Sequence, residues 1–270
     1  MKNVLSNLGI LTTIILFNYF GVTQPLLFAQ ESTQPQPNKT PKLSAVQWYN
    51  QGVDKLEKRD YQGAIADFTE AIKLNNKDAD AYYNRGYAQL VLANYELAIA
   101  DYNQAIQLKP KFAYAYGNRC YSFFQTKQYK NAVTDCTEAI KLEPNYADFY
   151  IYRGNAQDEL KNPKEAIIDY NKAISLNSNH ANAYYNRALA YNRLGESLKA
   201  IDDYTKSIQL KGDFADAYHN RGVTQFKIGN KEKALTDLKK AAELFTTQGN
   251  INNAQHVRDT MKKLQNKQGT

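Results

Sequence analysis

Apolar residues recur in two amphipathic runs per 34 residues, and this period holds without insertion or deletion from Ala45 to Gln248. Each first run carries one small residue at the same place: Gly52, Gly86, Cys120, Gly154, Ala188 and Gly222. Each second run begins its apolar face with Ala64, Ala98, Ala132, Ala166, Ala200 and Ala234, and seven residues later has Ala71, Ala105, Ala139, Ala173, Ser207 and Ala241. Phe68, Tyr102, Cys136, Tyr170, Tyr204 and Leu238 stand between those positions. Steps of three, four and seven residues mark a helix with one buried face. Polar breaks such as Lys58-Arg59-Asp60 and Leu194-Gly195-Glu196 separate the two runs. The pattern therefore predicts six helix–turn–helix units, at 45–78, 79–112, 113–146, 147–180, 181–214 and 215–248. A single hairpin cannot bury such a face by itself, so the units must stack on one another. Ile251, Ala254, Val257, Met261 and Leu264 continue at helical spacing, which predicts a solvating end helix within 249–270.

These features resemble the tetratricopeptide repeat family, whose period and small/large pattern they follow. Trp48, Gly52, Ala64 and Phe68 carry the resemblance in the first repeat. Tyr82, Gly86, Ala98, Tyr102, Ala105 and Pro110 carry it in the second. It covers about three quarters of the chain. The departures are Cys120 in place of the small glycine, Pro163 at the start of a second helix, and a closing proline only at Pro110 and Pro144. The resemblance implies an all-α, right-handed superhelical solenoid with a C-terminal capping helix. It also implies that the first helices line a concave groove for a protein or peptide partner.

Ahead of the repeats, Met1-Lys2-Asn3 precedes an apolar stretch from Leu8 to Phe28 and a small residue, Ala29. A basic start, an apolar heart and a small exit read as a secretory signal peptide, residues 1–29, removed after Ala29. An uncleaved anchor using residues 8–28 is the alternative, and would associate the chain with a membrane. Residues 30–44 hold three Pro and three Gln and no aromatic side chain, the composition of a disordered linker.

Arg85, Arg119, Arg153, Arg187 and Arg221 occupy the seventh position of five repeats, and Asp67, Asp101, Asp135, Asp169, Asp203 and Asp237 the twenty-third of all six. The first repeat has Gln51 instead of Arg and has no preceding repeat. That coincidence suggests pairing across the junctions: Asp67 with Arg85, Asp101 with Arg119, Asp135 with Arg153, Asp169 with Arg187, and Asp203 with Arg221. An acidic-ligand site is the rival reading of the same residues, but repetition at every junction suits architecture better.

By the resemblance, positions two, five, six, nine, twelve and thirteen face the groove. Asn50, Asn84, Asn118, Asn186 and Asn220 take the sixth position, where their amides either hold an extended peptide backbone or bond neighbouring helices. Tyr83, Tyr87, Tyr114, Tyr121 and Phe124 make the second and third repeats the aromatic part of the groove. Repeats four to six are more polar, with Asp148, Asn155, Asp158, Glu159, Asn192, Arg193 and Asp216. The subset of these modules that clamps a chaperone's terminal carboxylate resembles this chain only at Asn155 and Asn186. Ile151, Asp216 and Asn220 stand where its cations belong.

The remaining chemistry is sparse. His180, His219 and His256 have no metal-ligand spacing, and no phosphate loop or nucleophile elbow occurs. No cofactor, metal or catalytic activity is expected. Cys120 and Cys136 face each other between the helices of repeat three; they are either small core residues or, in an oxidising compartment, a disulfide. The net charge of +7 lies mostly in residues 215–270, which hold ten basic and five acidic side chains. Export argues against nucleic acid as the partner of that surplus. The expectation is an exported scaffold that binds a protein or peptide and helps assemble or regulate a membrane or envelope complex. A membrane-anchored adaptor facing the cytoplasm, or a carbohydrate or lipid binder using the Tyr-rich groove, are the alternatives.

Overall fold

The structure, a computed structural model, describes residues 43–266. The expected signal peptide or anchor at 1–29, and all but the last residues of the linker, lie outside the described residues. Among the described residues thirteen helices follow in order. The first helices of the six repeats are α1 (Ala45–Glu57), α3 (Ala79–Val91), α5 (Ala113–Gln125), α7 (Ala147–Glu159), α9 (Ala181–Arg193) and α11 (Ala215–Lys227). The second helices are α2 (Tyr61–Leu74), α4 (Tyr95–Leu108), α6 (Tyr129–Leu142), α8 (Pro163–Leu176), α10 (Ser197–Leu210) and α12 (Lys231–Thr247). The end helix is α13 (Ile251–Asn266). The architecture is all-α, and the chain falls into two compact units that meet in sequence at Ala156 and Gln157.

Local chemistry sets the helix ends. Ser44 and Gln47 form a capping box at α1, and the Asp60 and Asp78 carboxylates cap α2 and α3. Each hairpin turn passes through one left-handed residue, at Arg59, Ala93, Lys127, Lys161, Gly195 and Gly229. There the chain closes by bonding back over the helix end, as Asp60 does to the Lys55 carbonyl at 2.8 Å.

In residues 43–156, Tyr49, Leu56, Ala64, Phe68, Ala71, Ile72, Ala81 and Ala88 make one continuous core. The ring of Phe68 lies against Gly52, where any Cβ would come within 2.7 Å of it. In residues 157–266 the corresponding core is built on Tyr185, Leu189, Tyr204 and Phe214. Beyond it Ala254, Val257 and Leu264 of α13 pack with Leu238, Ala241 and Phe245 of α12, which covers the face the sixth repeat would otherwise expose.

The arginine pairs differ from the cross-junction expectation. Arg85 donates from Nε and Nη2 to Asp101, in its own hairpin, at 2.9 and 2.6 Å. Arg119 treats Asp135 in the same way, Arg187 treats Asp203, and Arg221 treats Asp237. The expected pairs Asp67–Arg85, Asp101–Arg119, Asp135–Arg153, Asp169–Arg187 and Asp203–Arg221 are therefore replaced by pairs inside a hairpin. The reason is geometric: two parallel N–H groups on one edge of the planar guanidinium match the two oxygens of one carboxylate on the facing antiparallel helix. The third nitrogen is left over, and it is this one that crosses the junction. Nη1 of Arg85, Arg119, Arg153, Arg187 and Arg221 reaches back to Thr69, Asn103, Thr137, Asn171 and Thr205 at 2.6 to 3.2 Å. The first repeat has nothing to reach back to, and its Asp67 pairs instead with Lys55 at 2.7 Å. Burial pushes the Asp101 and Asp135 carboxyls upward even with their arginines pulling the other way.

Candidate partner-binding face

The first helices set out the sixth-position asparagines, and in residues 43–156 these are spent on the protein itself. Asn84 donates its side-chain amide to the Tyr49 hydroxyl at 2.9 Å, and Asn118 donates to Tyr83 at 3.2 Å. Each bond joins position five of one repeat to position six of the next. Asn84 and Tyr83 are fully buried and Asn118 nearly so. A buried amide left without a partner is costly, so these rungs serve the stacking of repeats. Direct contact with a partner, expected for Tyr83, Asn84 and Asn118, is therefore replaced by an internal role. Asn50, which has no preceding repeat, stays half-buried.

The aromatic residues divide similarly. Tyr121 and Phe124 are 4% and 5% exposed, so they form the floor of the face rather than its surface. Tyr121 packs on Tyr95 and Tyr152, and Phe124 on Tyr129. Tyr87 and Tyr114 remain half-buried. Tyr114 stands edge-on to Tyr146 with ring centres 5.7 Å apart. Burial raises the Tyr87 and Tyr121 hydroxyls above the usual phenol range, so both are neutral donors at any ordinary pH.

In residues 157–266 the same rung recurs, Asn220 donating to Tyr185 at 2.8 Å with both side chains buried. Asn220 thus joins the residues with an internal role, while Asn186 is half-buried. Asn192 donates to Tyr204 at 3.0 Å and to Thr224 at 2.7 Å, linking α9 to α10 and α11. Arg193 pairs with the Asp158 carboxylate and lies 3.9 Å from Glu159. This leaves a mixed polar patch in which Arg193 and Glu159 keep partial exposure. Deeper, Asp216 and His219 are buried on α11, and Asp216 Oδ1 and His219 Nε2 have no hydrogen-bond partner among the described residues.

One set of residues escaped the reading of the sequence, as did the tyrosine partner of the asparagines expected to hold a peptide or to bond neighbouring helices. The acceptors Thr69, Asn103, Thr137, Asn171 and Thr205 fill the twenty-fifth position of five repeats, and the sixth has Lys239, with no arginine repeat after it. That alternation of Thr and Asn, ending where the arginines end, was the available signal. The rung also left a trace: Tyr49, Tyr83 and Tyr185 are each followed 35 residues later by an asparagine, and where Gly117 replaces the tyrosine Tyr152 replaces the asparagine, although Asn186 persists after Ile151. Among the described residues no group of three or more His, Cys, Asp and Glu side chains could hold a metal ion. Among them, too, no helix is long and apolar enough to cross a membrane.

Comparison with known proteins places this geometry. Family profiles described as tetratricopeptide repeat match residues 49–111, 113–146, 147–180, 181–214 and 215–255. No curated protein matches the chain. Among solved structures, YrrB, described as a protein of this repeat type with an unusual peptide-binding site, is 28% identical over 71% of this chain and 97% of its own, with a TM-score of 0.57. MamA is 25% identical over 61% of this chain and 96% of its own, with a TM-score of 0.56. PilF of Pseudomonas aeruginosa, 18% identical over 77% of this chain and 95% of its own, shares the fold with a TM-score of 0.65.

Proposed function

Because the chain belongs to the tetratricopeptide repeat family, a scaffold for protein interaction, we propose that it is an exported, non-catalytic scaffold holding an extended partner segment along its first helices. The observation that carries this reading is the state of Tyr87 and Tyr114. Both stay half-buried on that face after the Tyr–Asn rungs have been spent on stacking. Tyrosine suits such a surface because it offers much apolar area and a hydroxyl at low cost in rotamer freedom. The peptide-binding site of YrrB is a parallel for a segment bound by this repeat type.

Export is supported by the apolar stretch from Leu8 to Phe28 and by the disulfide between Cys120 and Cys136, a bond that persists in oxidising compartments. A protein of the envelope or membrane surface, rather than nucleic acid, is then the partner, and residues 8–28 hold the chain at the membrane until cleavage. Mass measurement of the mature chain tests the first part: loss of 29 residues supports release, and an intact amino terminus overturns it. Capture of a partner by the mature protein, compared with Tyr87→Ala/Tyr114→Ala, tests the second. A fall in affinity of about tenfold or more is expected. Unchanged capture would place binding elsewhere.

A further inference from the structure

The third repeat is built differently from its neighbours. In the first, second and sixth repeats a large side chain of the second helix fills the notch left by a glycine of the first. A Cβ would come within 2.7 Å of Phe68 at Gly52, 3.0 Å of Tyr102 at Gly86 and 3.0 Å of Leu238 at Gly222. The third repeat has lost both halves of that joint: Cys120 stands in the glycine's place and Cys136 in the ring's. It also lacks the pair of rings that joins the helices of the first, second and fifth repeats, Tyr49 with Phe68, Tyr83 with Tyr102 and Tyr185 with Tyr204, at 5.6 to 5.9 Å. Gly117 holds the corresponding place on α5, and the ring of Phe149 from α7 fills it.

Aromatic filling therefore reaches the middle of α5 from the following repeat, not from its own partner helix. Phe124 still meets Tyr129 beside the turn. At mid-hairpin α5 and α6 are joined by the Cys120–Cys136 disulfide, fully buried with Cα atoms 5.4 Å apart, beside the Arg119–Asp135 pair that the other hairpins also use. Two thiols offer fewer dispersion contacts than a ring seated on glycine, so without the S–S bond this joint is the weaker one.

We propose that the packing of the third hairpin is conditional on oxidation: the disulfide replaces the ring-on-glycine joint, and its reduction loosens α5 against α6, leaving the Arg119–Asp135 pair and the Phe124–Tyr129 contact, while the other hairpins stay closed. A dithiol reductant breaks the S–S bond, delivers two electrons and two protons to give two thiols, and closes its own disulfide. Because α5 also carries Tyr114, Tyr121 and Phe124, the aromatic part of the binding face is loosened with it. That last consequence rests on the function proposed above.

The test is hydrogen exchange across the full chain, oxidised and after treatment with dithiothreitol. Wild type should lose protection in Ala113–Leu142 by about a hundredfold on reduction, the effect of opening a loop of this length, with α1–α2 and α10–α12 unchanged. Cys120→Ala/Cys136→Ala should match the reduced wild type with or without the reagent. Cys120→Gly/Cys136→Tyr, which restores notch and ring, should ignore it at higher protection. Equal protection of oxidised and reduced wild type would overturn the proposal, as would an equal response of the alanine pair, and both readings stand even if the tyrosine variant does not fold. If exchange responds but partner capture does not, the binding-face reading fails and the redox proposal stands.

Discussion

Arg85 grips Asp101 with two parallel hydrogen bonds at 2.9 and 2.6 Å, while its remaining nitrogen reaches Thr69 of the preceding repeat at 3.1 Å. One cation thus closes a hairpin and ties it to the hairpin before. Asp101 is 4% exposed, so removing either charge leaves the other stranded in a low-dielectric site. Asp101→Ala should destabilise by roughly 3 kcal/mol, and Thr69→Val by about 1 kcal/mol. A double-mutant cycle should find coupling of about 1–3 kcal/mol between Arg85 and Asp101 and close to none between Arg85 and Asp67. The reverse order would reinstate pairing across the junction.

The rung between Tyr83 and Asn118 makes a separate prediction. Tyr83→Phe keeps the ring against Tyr102 and Phe112 and deletes only the hydroxyl that accepts the Asn118 amide. With Asn118 1% exposed, loss of this hydrogen bond should cost about 1 kcal/mol by urea unfolding. Affinity for a partner should not change, since neither side chain reaches the surface. Lost affinity at unchanged stability would return the asparagines to the binding site.

The repeat was legible because it is written in residue size. Gly52 against Phe68, and Gly86 against Tyr102, meet in space as the period of small and large positions requires. The helices begin at the same two places in every repeat for the same reason. What the period could not show is which of two equally spaced partners a side chain chooses. Asp67 and Asp101 both recur at fixed distances from Arg85, one before it and one after. Only the antiparallel facing of α3 and α4 decides for Asp101. The asparagines posed the same difficulty, because a face read from spacing says nothing of how deep each residue lies. Asn84 at position six is fully buried, while Tyr87, three residues on, is half-buried.

The hairpin turns offer a prediction of sign. Ala93 sits at φ 60°, a left-handed conformation that crowds any Cβ, whereas the fifth and sixth repeats use Gly195 and Gly229 there. Ala93→Gly should therefore stabilise by about 1 kcal/mol, although the same change inside a helix destabilises. Gly195→Ala, at φ 79° with open space around it, should cost a similar amount through backbone strain alone. Thermal unfolding of the two variants should move in opposite directions. A melting point that falls for Ala93→Gly would mean the turn tolerates its alanine.

Asp216 and His219 lie one turn apart on α11, at 5% and 0% exposure, and their titrations oppose each other. Burial pushes the Asp216 carboxyl up to about 7, against its own backbone amide and Lys211. Burial also pushes the His219 imidazole down to about 4, against its hydrogen bond with Asn220 and helped by His256, whose ring centre is 6.0 Å away. Between about pH 4 and 7 the folded chain keeps a proton on Asp216 that the unfolded chain has released, so this group makes stability fall as pH rises. Between about pH 4 and 6.5 the unfolded chain carries a proton on His219 that the folded chain refuses, so this group makes stability rise with pH. The two slopes cancel through most of that window, and their contribution to wild-type stability should be nearly flat. Asp216→Asn removes the falling contribution, and its stability should climb from pH 4 to 6.5 by a few kcal/mol, since each tenfold difference in proton affinity between folded and unfolded chain is worth about 1.4 kcal/mol. His219→Tyr installs the residue found at this position in Tyr49, Tyr83 and Tyr185, and its stability should instead decline from pH 4 to 7. Urea midpoints for the three proteins across that range decide the matter. Both variants tracking the wild type would show that neither side chain is held in an altered state. Slopes of the same sign would show that α11 is packed differently around them.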